Sequence, residues 1–141
     1  YNVYGPGQER ATTYTSAVVV NLYRSFSKGR VTLRDQWAQR DFIYIDDVVK
    51  ALHAIMEQTE KGHPGLYEVG SGAMVEILTV AEEIARSMGT NLAVWHGSRD
   101  QYLSQKLAQP YDTPAVPMQP ATISLEEGLR RTVEHLGRVL P

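Results

Sequence analysis

The chain has 141 residues, no cysteine and a net charge of −2, with 14 basic against 16 acidic side chains. This length suits one domain or a piece of one, and 43% hydrophobic with 21% charged residues indicates neither disorder nor a membrane span. The charge balance leaves no basic surplus for nucleic acid, and the lack of cysteine removes disulfides and thiolate metal sites, as expected of a cytoplasmic chain.

Tyr1–Tyr4 reads as the tail of a strand, ended by the turn cluster Gly5-Pro6-Gly7. Val18, Val19, Leu22 and Phe26 recur at helical spacing between Thr15 and Lys28. Three consecutive valines form helix poorly, so packing must carry that helix. Val31–Leu33 and Asp41–Ile45 read as short strands. Asp46 or Asp47 then caps a helix whose inner face is Val48, Leu52, Ile55 and Met56. A loop at 62–65 leads to a strand over Leu66–Val69, stopped by Gly70-Ser71-Gly72.

Thr79 with Glu82 makes a capping box for a helix carrying Val80, Ala81, Ile84, Ala85 and Met88, closed by Gly89. Leu92–Trp95 reads as a strand, and four prolines between 109 and 122 mark an extended connector. Ser124 with Glu127 is a second capping box. Leu125, Leu129, Val133, Leu136 and Leu140 line that last helix, and Glu126 and Glu127 precede Arg130 and Arg131 by four residues. The fold class is α/β, without a complete doubly wound unit.

Several local patterns resemble sites. Gly70-x-Gly72 lacks the third small residue of a dinucleotide fingerprint, because position 75 is Val75, and the predicted helix starts too late to meet the glycines. It reads as a tight strand exit. Tyr102 and Lys106 have the spacing of a tyrosine–lysine proton-transfer pair but run straight into Pro110, so the pair reads as coincidence. Asp46 and Asp47 have no ligand partner at metal-binding spacing, and the four histidines are scattered. Helix capping explains those acids better.

Arg40 is different, since it stands at the head of an otherwise apolar strand. Its neighbour Asp41 points to the opposite face, so the guanidinium requires another anion: an internal carboxylate, which composition favours, or a phosphate bound bidentately. Arg99 carries the same ambiguity.

Four blocks then occur in order: Asn2-Val3-Tyr4-Gly5-Pro6-Gly7-Gln8, Gln39-Arg40-Asp41-Phe42-Ile43-Tyr44-Ile45-Asp46-Asp47-Val48-Val49, Leu66-Tyr67-Glu68-Val69-Gly70-Ser71-Gly72, and Ser124-Leu125-Glu126-Glu127-Gly128-Leu129. Together they resemble the C-terminal half of the extended short-chain dehydrogenases that act on nucleotide sugars, the epimerase/dehydratase family. The resemblance spans nearly the whole chain. It implies a partial Rossmann-type fold, in which residues 1–141 are the substrate-binding portion together with edge strands of the parallel sheet. It also implies that the N-terminal NAD(P)-binding Rossmann domain is absent here.

By the same resemblance, Asn2 corresponds to an asparagine near the sugar diphosphate, and Arg40 to the arginine that pairs with that diphosphate. Arg99 corresponds to a second phosphate-binding arginine, and Leu33 packs against the base. The family's glycine-rich cofactor loop and Tyr-x-x-x-Lys pair lie upstream of the Asn2 block, and Asp35 and Trp37 replace two usual glycines before Gln39. The expected ligand is a nucleotide-diphosphate sugar, with NAD or NADP in the longer parent and none held by this chain alone, which is expected to be inactive by itself. Exposed strand edges predict self-association. Two other readings stay open: a free-standing, non-catalytic module descended from such an enzyme, and a surviving proteolysis product.

Overall fold

A computed structural model describes residues 1–10, 17–29, 31, 33, 36–62, 65–91 and 121–140. The strand expected at 92–95, the Tyr102/Lys106 pair and the connector up to residue 120 lie outside these residues. Among the described residues, three strands and four α-helices follow in chain order: β1 (Asn2–Tyr4), α1 (Val18–Ser27), β2 (Gln39–Tyr44), α2 (Ile45–Glu60), β3 (Met74–Glu76), α3 (Ile77–Ser87) and α4 (Leu125–Val139), with a 3-10 turn at Gln8–Arg10.

The sheet order is β1-β2-β3. β2 changes partner halfway along its length. Its second half pairs in parallel with β1, placing Val3 opposite Ile43, and its first half pairs antiparallel with β3, placing Arg40 opposite Val75. Phe42, Ile43 and Tyr44 are all buried, the consecutive apolar run of a strand covered on both faces.

One face of the sheet carries the main core. Tyr4, Phe42 and Tyr44 join side chains of α1, α3 and α4, among them Val20, Phe26, Val80, Ile84, Leu129 and Leu136. The Tyr4 ring meets Phe42 and Tyr44 edge-on, with centroids 6.3 and 5.6 Å away, a favoured aromatic geometry. The valine run of α1 is held as expected, by packing: Val19 and Val20 are 1% and 0% exposed.

Helix boundaries depart from the sequence reading in instructive ways. α2 begins at Ile45 behind Tyr44, so neither Asp46 nor Asp47 occupies the cap position. α3 begins at Ile77, so Thr79 lies within its first turn and the expected capping box does not form. Its first donors are met from outside the helix: Ile77 N–H donates to the Ala38 carbonyl at 3.0 Å and Leu78 N–H to the Gln36 carbonyl at 2.9 Å. A helix start satisfied by a neighbouring loop needs no side-chain cap.

The far end of α3 matches expectation. Gly89 takes φ +64°, and Gly89 N–H and Thr90 N–H return to the carbonyls of Arg86 and Ala85, the Schellman pattern. At α4 the Ser124 hydroxyl accepts the Glu127 N–H at 3.2 Å, as the sequence indicated.

Three expectations fail. Residues 31 and 33 are irregular rather than strand. Leu66–Val69 is strand-like in composition but irregular, and a strand forms at Met74–Glu76. On α2, Leu52 and Met56 are 51% and 60% exposed while Val48 and Ile55 are half-buried; the expected inner face is only partly covered. The reason is geometric. The three-helix core occupies the other side of the sheet, and the two parallel strands under α2 are too few to cover its apolar stripe.

Candidate functional site

Of the residues singled out from the sequence, Asn2 and Arg40 lie along β2 or bond to it. The parallel register sets Asn2 opposite Phe42, and Asn2 Nδ2 donates to the main-chain carbonyl of Asp41 at 3.1 Å. Asn2 is thereby fastened to the residue that follows Arg40. Arg40 is half-buried, and its Nη1 donates to the Gln39 carbonyl at 2.8 Å. Leu33 is 7% exposed and packs in the hydrophobic core. Arg99 lies outside the described residues.

Asp41 supplies what the sequence reading missed. Its side chain is buried. One carboxylate oxygen accepts the Ser71 N–H at 2.7 Å and the Ser71 hydroxyl at 2.6 Å, and the other accepts the Gly72 N–H at 3.0 Å. A Cβ on Gly70 would stand 2.5 Å from Asp41 Oδ2 and 2.6 Å from the Tyr1 ring, so only glycine lets the loop close this far. Gly70-Ser71-Gly72 is therefore a nest of main-chain donors filled by an internal carboxylate. It leads into β3 rather than into a helix. These residues do not fit the pyrophosphate of a dinucleotide, and no step is assigned to them through such a cofactor. The spacing Asp41…Gly70-x-Gly72 held the only sequence signal, and a spatial pairing 29 to 31 residues apart gives no periodicity to detect.

Asp47 is the second internal anchor. Its carboxylate accepts the main-chain N–H groups of Thr122 and Ile123, both at 2.9 Å, and the Thr122 hydroxyl at 2.6 Å. Lys50 Nζ donates to it at 3.0 Å. Burial alone would raise this carboxyl, but the donors from Thr122, Ile123 and Lys50 outweigh it and hold the group below its ordinary value. The acid read as a helix cap thus ties the start of α2 to the entry of α4.

Neighbouring groups are structural too. Burial first, then Tyr44 and Asp47, pushes the Tyr4 phenol far above its ordinary value; its hydroxyl donates to the Leu125 carbonyl at 3.4 Å. Gln8 Nε2 donates to the Val3 carbonyl at 2.6 Å and ties the Gly5-Pro6-Gly7 turn back to β1. Among the described residues no group of three His, Asp or Glu could hold a metal ion, and no helix is long and apolar enough to cross a membrane.

Comparison with known proteins places this arrangement. Residues 1–70 match the model of the NAD dependent epimerase/dehydratase family. A curated relative, the dTDP-L-rhamnose 4-epimerase of Burkholderia thailandensis, is 37% identical over 89 residues, which is 62% of this chain and 24% of that protein. The Bordetella bronchiseptica enzyme WbmF, solved with NAD+ and UDP, superposes with a TM-score of 0.73 at 26% identity, over 99% of this chain and 45% of its own. The Thermus thermophilus UDP-glucose 4-epimerase, solved with NAD, gives 0.66 at 26% identity, over 96% and 44%. The chain spans less than half the length of these solved relatives. The fold is that of the Rossmann-like extended short-chain dehydrogenases, and the chain belongs to the NAD dependent epimerase/dehydratase family.

Proposed function

We propose that this chain is the portion of a nucleotide-sugar epimerase or dehydratase that holds the substrate's nucleotide diphosphate, while NAD or NADP is held by a separate cofactor-binding portion. The observation that carries this reading is that Asn2 Nδ2 is fastened to the carbonyl of Asp41, the residue next to the half-buried Arg40, while the Asp41 carboxylate is held by the 71–72 loop. A planar guanidinium at a partly desolvated strand head suits a diphosphate, whose oxygens it can engage two at a time. The WbmF complex with UDP supports the same ligand class.

Each residue then has a task that its position allows. Arg40 neutralises and orients the diphosphate. Asn2, fastened to the Asp41 carbonyl, supplies a fixed carboxamide beside it, and Asp41 with the Gly70–Gly72 loop holds the strand head rigid. Arg99 adds a second cationic contact in this reading, and Leu33 supports the base-side surface from the core. The cofactor supplies hydride acceptance from a sugar carbon when bound; this chain binds, orients and excludes water from the nucleotide end. It turns over no substrate alone. In isolation it also self-associates weakly through its exposed edges, and it works in the cytoplasm.

Calorimetric titration with UDP tests the reading. The chain binds UDP, and Arg40→Ala weakens binding at least tenfold, the loss expected of one charge-assisted pair. Equal affinity of the variant, or no heat with millimolar UDP and the wild-type chain, removes the proposal.

A further inference from the structure

The turn over residues 5–10, which follows β1, is held from outside through one side chain and its carbonyl. Glu9 Oε2 accepts the Gly7 N–H at 2.8 Å and lies 3.3 Å from His135 Nε2 on α4. A carboxylate only accepts, so this contact assigns the imidazole proton to Nε2. The Glu9 carbonyl accepts Arg24 Nη2 of α1 at 2.7 Å. The Glu9 side chain is 15% exposed. Its own main-chain N–H, the Gly7 N–H and His135 together outweigh burial and hold the carboxyl below its ordinary value. Glu9 is thus a junction between the turn, α1 and α4.

The residue beside it shows what the junction holds. Gln8 Nε2 donates to the Val3 carbonyl at 2.6 Å, and Val3 adjoins Asn2. With the nitrogen committed to Val3, the other end of the carboxamide points inward, and Gln8 Oε1 is buried without a hydrogen-bond partner among the described residues. An unpaired buried acceptor costs more than one neutral hydrogen bond returns. Left to itself, Gln8 would rotate its oxygen into water and release the Val3 carbonyl. Such an orphan is kept where neighbouring bonds over-determine the geometry, and the bonds that do so here are those of Glu9, the next residue.

We infer that Glu9 is a positioning residue for the nucleotide-diphosphate site: joined to α4 through His135 and to α1 through Arg24, it keeps Gln8 on the Val3 carbonyl and so fixes the stretch of β1 that presents Asn2. The Asp41 carbonyl fastens the Asn2 carboxamide, and Glu9 governs the backbone next to it. The inference rests on the functional reading above, in which Asn2 stands beside the diphosphate. Glu9 itself touches no ligand, so its whole effect on binding passes through Asn2. Such an effect vanishes once the Asn2 carboxamide is removed, whereas a general loosening of the fold does not.

The test titrates UDP into the wild type, Glu9→Ala, Asn2→Ala and the double variant by calorimetry, and follows the Asn2 side-chain amide by NMR. Glu9→Ala weakens UDP binding about three- to tenfold in the wild-type background, the loss expected of one hydrogen bond. On the Asn2→Ala chain the same change costs less than about twofold. Glu9→Ala also shifts the Asn2 Nδ2 resonance. Glu9→Gln keeps an acceptor for the Gly7 N–H, weakens binding less than alanine does, and carries the same comparison should alanine unfold the chain. Unchanged UDP affinity, an equal loss in both backgrounds, or an unmoved Asn2 resonance each overturns the inference. The two readings fail separately: a wild type that gives no heat with UDP sinks the substrate reading, and UDP binding that is indifferent to Glu9 sinks the positioning role alone.

Discussion

Replacing Gly128 by alanine is the sharpest probe of how α4 meets the sheet. Gly128 faces the Tyr4 ring, and a Cβ there would stand 2.2 Å from the Tyr4 hydroxyl oxygen, 2.9 Å from Cζ and 3.0 Å from Tyr44 Cδ2. Tyr4 is 2% exposed and held between Phe42 and Tyr44, so it cannot swing aside without disturbing both rings. Overpacking of this kind costs about 1–3 kcal/mol. Alanine returns about 1 kcal/mol of helix propensity, which leaves Gly128→Ala about 0–2 kcal/mol less stable, toward the upper figure because the 2.2 Å contact lies on a held ring. At roughly 3–5 °C per kcal/mol for a chain of this size, the midpoint falls by several degrees.

The clash has one dominant atom, and this makes a stricter test possible. Tyr4→Phe removes the hydroxyl and its 3.4 Å hydrogen bond to Leu125, at a cost of about 0.5–1 kcal/mol. In the double variant the 2.2 Å contact is gone and only the two near 3 Å remain, so the pair is less destabilised than the sum by about 1 kcal/mol. Urea unfolding followed by circular dichroism measures all four corners of the cycle. If Gly128→Ala stabilises the chain and the cycle is additive, the packing of α4 on Tyr4 is refuted.

Two further outcomes follow from the buried carboxylates. The folded state holds the Asp47 carboxyl below its ordinary 3.8, so as pH falls the unfolded chain takes up that proton first. The stabilisation is complete above about pH 4 and is lost as pH drops through the folded value; Asp47→Asn costs about 1–3 kcal/mol at pH 7 and flattens the acid limb of a stability–pH series, whereas an unchanged limb contradicts the assignment. Asp41→Ala strips the Ser71 and Gly72 donors of their acceptor and costs about 2–4 kcal/mol; hydrogen exchange at those two amides rises well above the change elsewhere, and a uniform rise would mean that the loop is not organised by Asp41.

Local chemistry made much of this molecule legible in its sequence. The apolar spacing of Val80, Ala81, Ile84 and Ala85, the Gly89 stop and the Ser124 cap depend on neighbours within one or two turns, and the structure keeps all of them. The ordered Asn2, Gln39–Val49 and Ser124–Leu129 blocks marked the family for the same reason, since each is a contiguous run. What spacing could not reveal were partnerships across the fold. Asp41 meets Gly70–Gly72, Asp47 meets Thr122, and α3 takes its first acceptors from Gln36 and Ala38, each pair separated by more than 28 residues.

The exposed α2 stripe shows the same limit from the other side. Sequence by itself determined that α2 is amphipathic, because periodicity is a property of the helix alone. It did not determine whether that stripe is covered, because coverage depends on how many strands lie beneath the helix. Only the tertiary structure decided that: two parallel strands stand under α2, three helices crowd the opposite face, and Leu52 and Met56 are left in water. Hydrophobic residues choose a face locally, but the partner that completes the layer is chosen by the fold.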